Sequence, residues 1–263
     1  MGEYYGTEQA IALQKSLRAR AAQIAADPLL ANGGRILNVL DAEAYGWDAL
    51  RRDVEQDGYI ALTMIHREVA ANQLADVFDK NADFPSWEAF TGAPGDILPV
   101  CEDVVAGAEL PSGWRVESYL TPTNDVIDGA QTLNQSAGVA PTPAYYLRGE
   151  VAPSLLTCIW DEAGALAACA SATMRYHADG PLGGWIFAGG VSVGDQHRRR
   201  GLGSLVNARL LIDSHVAFGW TTVLEQARAD NHASVGMITR CGLTLDPDRI
   251  TVVVNMTGGQ VTR

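Results

Sequence analysis

The sequence has few of the residue patterns by which metal and nucleotide sites are commonly found. The five histidines form no ligand pair, and GxxxxGK[ST] does not occur. The pattern GxGxxG fails because Val206 stands where its last glycine should be. These absences argue against a metal centre and against nucleotide hydrolysis. The four cysteines form no CxxC pair and are expected to be buried free thiols: Cys101, Cys158, Cys169 and Cys241.

Basic residues and long apolar runs are also scarce. The 263 residues include 19 lysines and arginines against 31 acidic residues, which gives a formal net charge of -12. Such acidity disfavours nucleic acid and anionic membranes as partners and mildly favours cationic acceptors such as amines, although it equally serves solubility. No apolar run approaches the roughly 20 residues of a membrane span, and no apolar segment follows Met1. We therefore expect a cytoplasmic protein.

The remaining composition is that of a folded chain, with 47% hydrophobic and 19% charged residues. Prolines and glycines cluster between residues 83 and 111, which predicts irregular structure leading to a boundary near Pro111. We expect two domains, 1–111 and 112–263. Apolar periodicity predicts these elements in the first: helix 7–26 with Thr7 as N-cap, strand 35–40, helix 42–55, strand 59–65 and helix 69–80.

The second segment has a more regular alternation of strand and helix patterns. Together they predict an α/β fold with one mixed sheet. The predicted strands are 114–120, 155–160, 165–176, 185–193, 222–228 and 250–256. The predicted helices are 125–137, a short piece at 144–149, 201–217 and 233–240.

Three arginines and two glycines link the strand predicted at 185–193 to the helix that follows it. The run from Arg198 to Gly203 reads RRRGLG and precedes an apolar-periodic helix. A helix N-terminus offers unpaired backbone N–H groups and a positive dipole end, and glycine lets an anion approach the main chain. This segment therefore suits a pyrophosphate, although arginines on a loop can also be merely solvated.

The spacing Arg-x-x-Gly-x-Gly resembles the acyl-CoA signature of the GCN5-related N-acetyltransferases (GNAT). The distance from Val193 to the first arginine also fits that family. A second match lies about 30 residues downstream, where Asn231 is followed by Gly242 and Leu243 at the family's count. The resemblance covers residues 113–258 and implies a GNAT fold, with a sheet that splays between the strands predicted at 185–193 and 222–228. The first segment then becomes an extra N-terminal, mainly helical α/β domain.

The resemblance implies that acetyl-CoA is the acyl donor, and the lack of ligand patterns noted above indicates that no metal takes part. Main-chain groups near Val191 and Val193 would pair with the pantetheine arm like an added strand, and amides from Arg199 to Ser204 would hold the diphosphate. Asn231 either contacts the coenzyme or caps the next helix. The coenzyme-binding residues expected in this way are Val191, Val193, Arg198, Arg199, Arg200, Gly201, Leu202, Gly203, Ser204, Asn231 and Ser234.

The catalytic groups are less well specified. Many family members have a tyrosine seven residues after the asparagine as a general acid, and here that position is Ile238. Glu225, in the middle of a predicted strand, is the candidate general base, with a structural hydrogen-bonding role as its alternative. The hydroxyl and thiol groups that could replace the tyrosine belong to Tyr145, Tyr146, Ser234 and Cys241.

The interpretation is therefore an N-acetyltransferase in which a primary amine, on a small molecule or a peptide, attacks the thioester directly. The departure at Ile238 leaves a catalytically silent acyl-CoA-binding sensor as an alternative. A serine hydrolase is a further alternative, because residues 190–194 spell GxSxG around Ser192. Residues 1–111 could be a degenerate second GNAT-like domain, a lid over the acceptor site or a dimerisation element, so a homodimer stays open.

Overall fold

Ten strands form one mixed sheet in the computed structural model, which describes residues 2–78 and 82–256. The order across the sheet is β1-β2-β3-β10-β4-β9-β8-β7-β6-β5. The strands are β1 (Leu30–Asn32), β2 (Leu37–Val39), β3 (Tyr59–His66), β4 (Ser86–Gly92), β5 (Arg115–Tyr119), β6 (Ser154–Trp160), β7 (Leu166–Thr173), β8 (Trp185–Val193), β9 (Thr222–Ala227) and β10 (Thr244–Asn255).

Helices cover both faces of this sheet. Their bounds are α1 (Glu8–Ala19), α2 (Ala21–Ala25), α3 (Ala42–Tyr45), α4 (Trp47–Asp57), α5 (Arg67–Val77), α6 (Pro94–Ala106), α7 (Asn124–Ser136), α8 (Ala144–Leu147), α9 (Leu202–Phe218) and α10 (His232–Arg240). No helix in the described part of the chain is long and apolar enough to cross a membrane.

Local signals explain most of the helix ends. Thr7 caps α1, since its hydroxyl oxygen accepts a hydrogen bond from the Ala10 amide at 3.2 Å. Gly46, at φ +92°, divides the helix predicted at 42–55 into α3 and α4. The helix predicted at 69–80 begins slightly earlier, as α5, and residues 79 and 80 of that prediction lie outside the described residues.

The prediction of irregular structure at 83–111 was wrong, because this stretch contains β4 and α6. Its prolines and glycines stand mostly at the ends of elements. Gly92 is the last residue of β4, where a Cβ would come within 2.4 Å of Ile97. Pro94 opens α6 at a position that needs no backbone N–H donor. The clustering of prolines and glycines therefore reflects a tight turn from β4 to α6.

The sheet continues past the expected boundary near Pro111. β4 lies between β9 and β10 and is antiparallel to both, with Phe90 opposite Glu225 and Trp87 opposite Thr251. β10 begins earlier than the predicted strand 250–256 and also pairs with β3. Strands from before and after residue 111 therefore alternate in one sheet, and the division into two domains stays a prediction.

The parallel strands β8 and β9 separate partway along their length. They pair only from Trp185 opposite Thr222 to Phe187 opposite Leu224. Beyond these pairs β8 continues to Val193 and β9 to Ala227, each bonded only to its outer neighbour. This opening is the splay that the family resemblance implied.

The two faces of the sheet around this opening have different coverings. On one face, which we call the α9 face, α9 buries Leu205, Val206 and Leu210 against β6 to β9, as the apolar period predicted. On the other, the α7 face, α7 packs Ile127 and Ala130 against β6 and β7. The opening between β8 and β9 thus connects two separate sides of the protein.

Candidate active site

A cleft of about 880 Å³ occupies the opening between β8 and β9. One end is lined by the loop after β8 and by the first turns of α9 and α10. The other end reaches residues of the N-terminal segment, including Arg35, Asn38 and Trp87. The cleft therefore brings the sequence motif together with residues for which the sequence predicted no role.

The motif forms a tight turn onto the N-terminus of α9. Arg199 has φ +62° and Gly201, the N-cap residue, has φ +78°. A Cβ at Gly201 would meet nothing within 4 Å, so it is the left-handed conformation that favours glycine there. With no side chain at Gly201 to accept from the first-turn amides, Leu202, Gly203 and Ser204 present N–H groups at the cleft. This is the geometry of an anion site at a helix N-terminus.

The three arginines of the motif have different surroundings. Arg198 and Arg199 line the cleft, and Arg198 forms an exposed ion pair with Asp195 at 2.8 Å. The guanidinium of Arg200 instead lies 5.3 Å from the centre of the Trp114 ring, beside His197. The arginine side chains are thus spread around the turn, and only two of them border the cleft.

An irregularity in β8 shapes the adjoining wall. Ser192 pairs with Cys169 and Gly189 with Ser171, so Gly190 and Val191 fall outside the regular register with β7. Gly190 accommodates this bulge with φ +65°. Val191 and Val193, both predicted to bind coenzyme, line the cleft here and contact the core of the α9 face. A strand edge without a partner on the cleft side is suited to pairing with an extended ligand.

Asn231 and Ser234 also line the cleft, at the start of α10. The Asn231 side-chain oxygen accepts a hydrogen bond from the Ser234 amide at 3.1 Å. Asn231 therefore caps α10, as one of the two interpretations expected. Its contact with coenzyme stays a prediction, since a capping side chain still has its amide group free to donate.

Glu225 is a buried carboxyl group, 1% exposed, that lines the cleft from β9. Its Oε1 accepts a hydrogen bond from Asn207 Nδ2 of α9 at 2.8 Å. Burial raises the pKa of Glu225 to about 7, and the bond from Asn207 opposes that rise. A carboxyl group that titrates near neutral pH inside a cleft has the properties of a general base.

The residues proposed to replace the missing tyrosine separate into two groups. Ile238 is buried and lines the cleft, so no hydroxyl stands at the family's position. Ser234 and Tyr146 do line the cleft, and Tyr146 donates to the Asn32 carbonyl at 2.8 Å. Tyr145 is buried elsewhere, donating to the Gly34 carbonyl, and Cys241 is buried beneath α9.

The structure does not support the hydrolase interpretation. Ser192 lies inside β8, whereas a nucleophile elbow requires a sharp turn from strand to helix at the serine. α9 begins at Leu202, well beyond it, and the buried Ser192 hydroxyl has no hydrogen-bond partner. No histidine therefore activates this serine in the described structure.

Two arginines that sequence reasoning missed line the α7 side of the cleft. Arg35 lies between β1 and β2, and Arg175 follows β7. No local pattern marks either one, because each is a single basic residue in an ordinary turn or strand end.

Within residues 2–78 and 82–256, no group of three or more acidic, histidine or cysteine side chains is placed to hold a metal ion.

Comparison with known proteins agrees with this geometry. Residues 128–243 match the model of the Acetyltransferase (GNAT) family. That segment includes β6 to β9, the RRRGLG turn, Glu225 and Asn231. This part of the chain belongs to the GNAT superfamily. No curated protein gave a significant match to the sequence.

Solved structures extend the fold comparison to nearly the whole chain. A GCN5-related N-acetyltransferase from Kribbella flavida is 20% identical, with a TM-score of 0.56 over 85% of this chain and 79% of its own. A tandem GNAT protein from the clavulanic acid biosynthesis pathway is 15% identical, with a TM-score of 0.57 over 97% of both chains. At these identities the similarity establishes the fold.

Proposed function

We propose that the protein is an N-acetyltransferase that moves the acetyl group of acetyl-CoA to a primary amine. The observation that carries this proposal is the row of first-turn amides of α9, which faces a cleft at the point where β8 and β9 separate. Helix N-terminal amides bind phosphate, and the unpaired edge of β8 suits the extended arm of the coenzyme. The arginines Arg198 and Arg199 add positive charge beside the same cleft.

The acceptor reacts in a ternary complex by direct attack. The amine nitrogen forms a bond to the thioester carbon, the carbon–sulfur bond breaks, and sulfur leaves as a thiolate. Glu225, or a water molecule next to it, takes the proton that the amine loses. Because burial raises the pKa of Glu225 to about 7, both the ionised and the protonated carboxyl group are present near neutral pH. The cleft is lined by no cysteine of the described chain, and Ser192 lies inside a strand, so no covalent acyl-enzyme is proposed.

Of the candidate acids that line the cleft, Ser234 is the proton donor to the leaving thiolate, because the Tyr146 hydroxyl already donates its proton to the Asn32 carbonyl. A CoA thiol is also a tolerable leaving group without an acid. The isoleucine at position 238 therefore lowers the rate of transfer without preventing it, since general acid catalysis contributes roughly 10²- to 10⁴-fold.

Isothermal titration of the purified chain with acetyl-CoA tests the coenzyme site. We expect saturable binding, and an absence of heat at millimolar acetyl-CoA would overturn the proposal. Release of free thiol from acetyl-CoA in the presence of individual amines then tests transfer. The acceptor amine, a small molecule or a peptide, is identified by mass spectrometry of the acetylated product.

A catalytically silent acyl-CoA sensor is the second candidate, and the buried Ile238 at the position of the acid favours it. The two candidates differ in thiol release. Tight coenzyme binding without thiol release above the spontaneous rate, for each amine tested, would favour the sensor.

We also propose that the protein works in a reducing compartment such as the cytoplasm, since all four cysteines are buried free thiols.

A further inference from the structure

Two arginine side chains meet at the α7 side of the cleft, on the face of the sheet opposite Asn207 and α9. Arg175 follows β7, and its guanidinium carbon lies 3.8 Å from the centre of the Phe187 ring. Phe187 is the last residue of β8 that pairs with β9 before the strands separate. Arg35 faces the same cleft from the turn between β1 and β2. Both positive charges therefore lie near the base of the opening.

No carboxylate is seen to pair with either arginine. Ion pairs join nine of the fourteen other described arginines to acidic side chains. Arg175 donates a hydrogen bond to the Tyr176 hydroxyl and lies beside the Tyr176 and Phe187 rings, and its buried Nε has no partner. Among the described residues that line the cleft, Glu225 alone is acidic. It lies on β9 and bonds to Asn207 on the α9 face.

The pair carries an electrostatic cost that an anion would relieve. Burial lowers the pKa of Arg35, and the positive charge of Arg175 lowers it further, while Tyr59 opposes this shift. Burial also acts to lower the pKa of Arg175, but the neighbouring Tyr176 and Tyr146 raise it overall. In a chain with a net charge of -12, two adjacent half-buried cations without an acidic partner are hard to explain as a solubilising surface. A guanidinium presents five N–H donors in a planar arrangement that matches carboxylate and phosphate oxygens.

We propose that Arg35 and Arg175 form an anion subsite, so that the amine acceptor carries a carboxylate or a phosphate group. This inference rests on the proposed transferase activity and names its substrate class. The anion is bound on the α7 side, and the amine end of the acceptor points through the opening towards Glu225 and the thioester. The Phe187 and Tyr176 rings lie beside the Arg175 guanidinium, with its central carbon 3.8 and 5.3 Å from the two ring centres, and hold it in place at the cleft.

A second cavity indicates how such an acceptor enters. A space of about 460 Å³ adjoins the cleft and shares with it Arg35, Ile36 and residues 138–140. Tyr5, Thr7 and Gln14 of the N-terminal segment also line it. The acceptor therefore approaches from the side opposite the RRRGLG turn and passes Arg35 on the way. In this arrangement residues 1–111 supply one wall of the acceptor site.

The test uses product analogues, because they bind without the need for turnover. N-acetyl-L-amino acids and N-acetylated aminoalkyl phosphates are titrated one at a time into the full chain saturated with CoA. The neutral counterparts are the matching N-methylamides and alcohols. We expect at least one anionic analogue to bind about 10- to 100-fold more tightly than its neutral counterpart. The two series of analogues distinguish a carboxylate from a phosphate.

Variants assign the effect to the two arginines. Arg175→Gln and Arg35→Gln should each remove the preference for the anionic analogue while leaving CoA affinity unchanged. Arg51→Gln, at an exposed ion pair on α4, is the control and should keep the preference. Two variants are used so that one of them can still decide the proposal if the other misfolds. The CoA titration shows whether each variant has folded.

The outcomes separate this inference from the proposed function. Equal binding of anionic and neutral analogues, or binding of no anionic analogue to a chain that binds CoA, would overturn the anion subsite. A preference that survives both arginine substitutions would overturn it too. Failure of CoA itself to bind would overturn the proposed function, and the anion titration of the free chain would then decide the subsite separately.

Discussion

The side of the cleft that we propose for the coenzyme (the coenzyme side) and the side that we propose for the acceptor (the acceptor side) are built on different principles. On the coenzyme side the candidate binding groups are mainly backbone amides, presented by one short segment from β8 to α9. On the acceptor side the candidates are side chains, Arg35 and Arg175, brought together from distant parts of the chain. Backbone groups recognise the part of the reaction that a family shares, and side chains can change with the acceptor.

We expect the largest effect from replacing Glu225, because this carboxyl group lies between the two sides of the cleft. We expect Glu225→Gln to lower kcat by roughly 10²- to 10⁴-fold, because glutamine cannot accept the proton of the amine. In the parent protein kcat/KM should rise with pH to a plateau, with a midpoint near 7, and this rise should disappear in the variant. Initial rates of thiol release between about pH 5.5 and about pH 9 would measure both effects.

The stability of the same variant supplies a control. The folded pKa of Glu225, about 7, exceeds its ordinary value of 4.5, so burial favours the protonated form. The contribution of this group to stability is present in full below its unfolded pKa and is lost as the pH rises through about 7. Glu225→Gln should therefore lose less stability than the parent over that interval in thermal unfolding. A variant that matches the parent in kcat would show that Glu225 is structural.

A change confined to the coenzyme side should weaken acetyl-CoA binding and leave the fold intact. We expect Gly201→Glu to reduce affinity at least about tenfold, because it places a negative charge at the helix end that would hold phosphate. The matched control is Gly219→Glu. Gly219 ends the same helix at φ +61°, also with open space around its Cβ position. Isothermal titration showing equal losses in both variants would indicate backbone strain as the cause.

A smaller effect is expected from Asn207 of α9, which lowers the pKa of Glu225 through its hydrogen bond. Asn207→Ala removes the hydrogen bond that stabilises the ionised form of Glu225. We expect the pH midpoint of kcat/KM to rise by about one unit, since a hydrogen bond to a charged group contributes about 1.5 kcal/mol or more. Coenzyme affinity, measured at the same pH values, should not change. An unchanged or lower midpoint would be inconsistent with Glu225 as the titrating group.

The smallest expected effect is at the margin of the coenzyme side. Trp114 supports Arg200 and lies edge-on to His197, with the ring centres 5.1 Å apart. Trp114→Ala should weaken acetyl-CoA binding only a few-fold, since an exposed cation–π contact is worth about 0.5–1 kcal/mol. Calorimetry can resolve such a change. A loss as large as that of Gly201→Glu would mean that Arg200, and not the amide row, is the main phosphate ligand.

The sequence predicted the strand and helix on either side of the RRRGLG turn well, because their determinants are local. The apolar run of β8, the glycine turn and the period of α9 lie in one stretch, and the structure forms these elements close to the predicted bounds. β4 and α6 were missed because Gly92, Pro94 and Pro99 suggested coil, whereas the first two end and begin elements. No sequence pattern near Arg35 or Arg175 predicts that these two residues lie close together, since only the tertiary fold brings them together.

The position of β4 between β9 and β10 has a consequence for how the chain is made. β10 is the last strand described, yet it lies between β3 and β4, which are synthesised much earlier. On the ribosome, the inner edges of these early strands stay without their partner until residues 244–255 have emerged. Such exposed edges invite pairing with other chains. We therefore expect efficient folding to depend on chaperones that bind the incomplete sheet. We also expect truncated variants that lack β10 to aggregate.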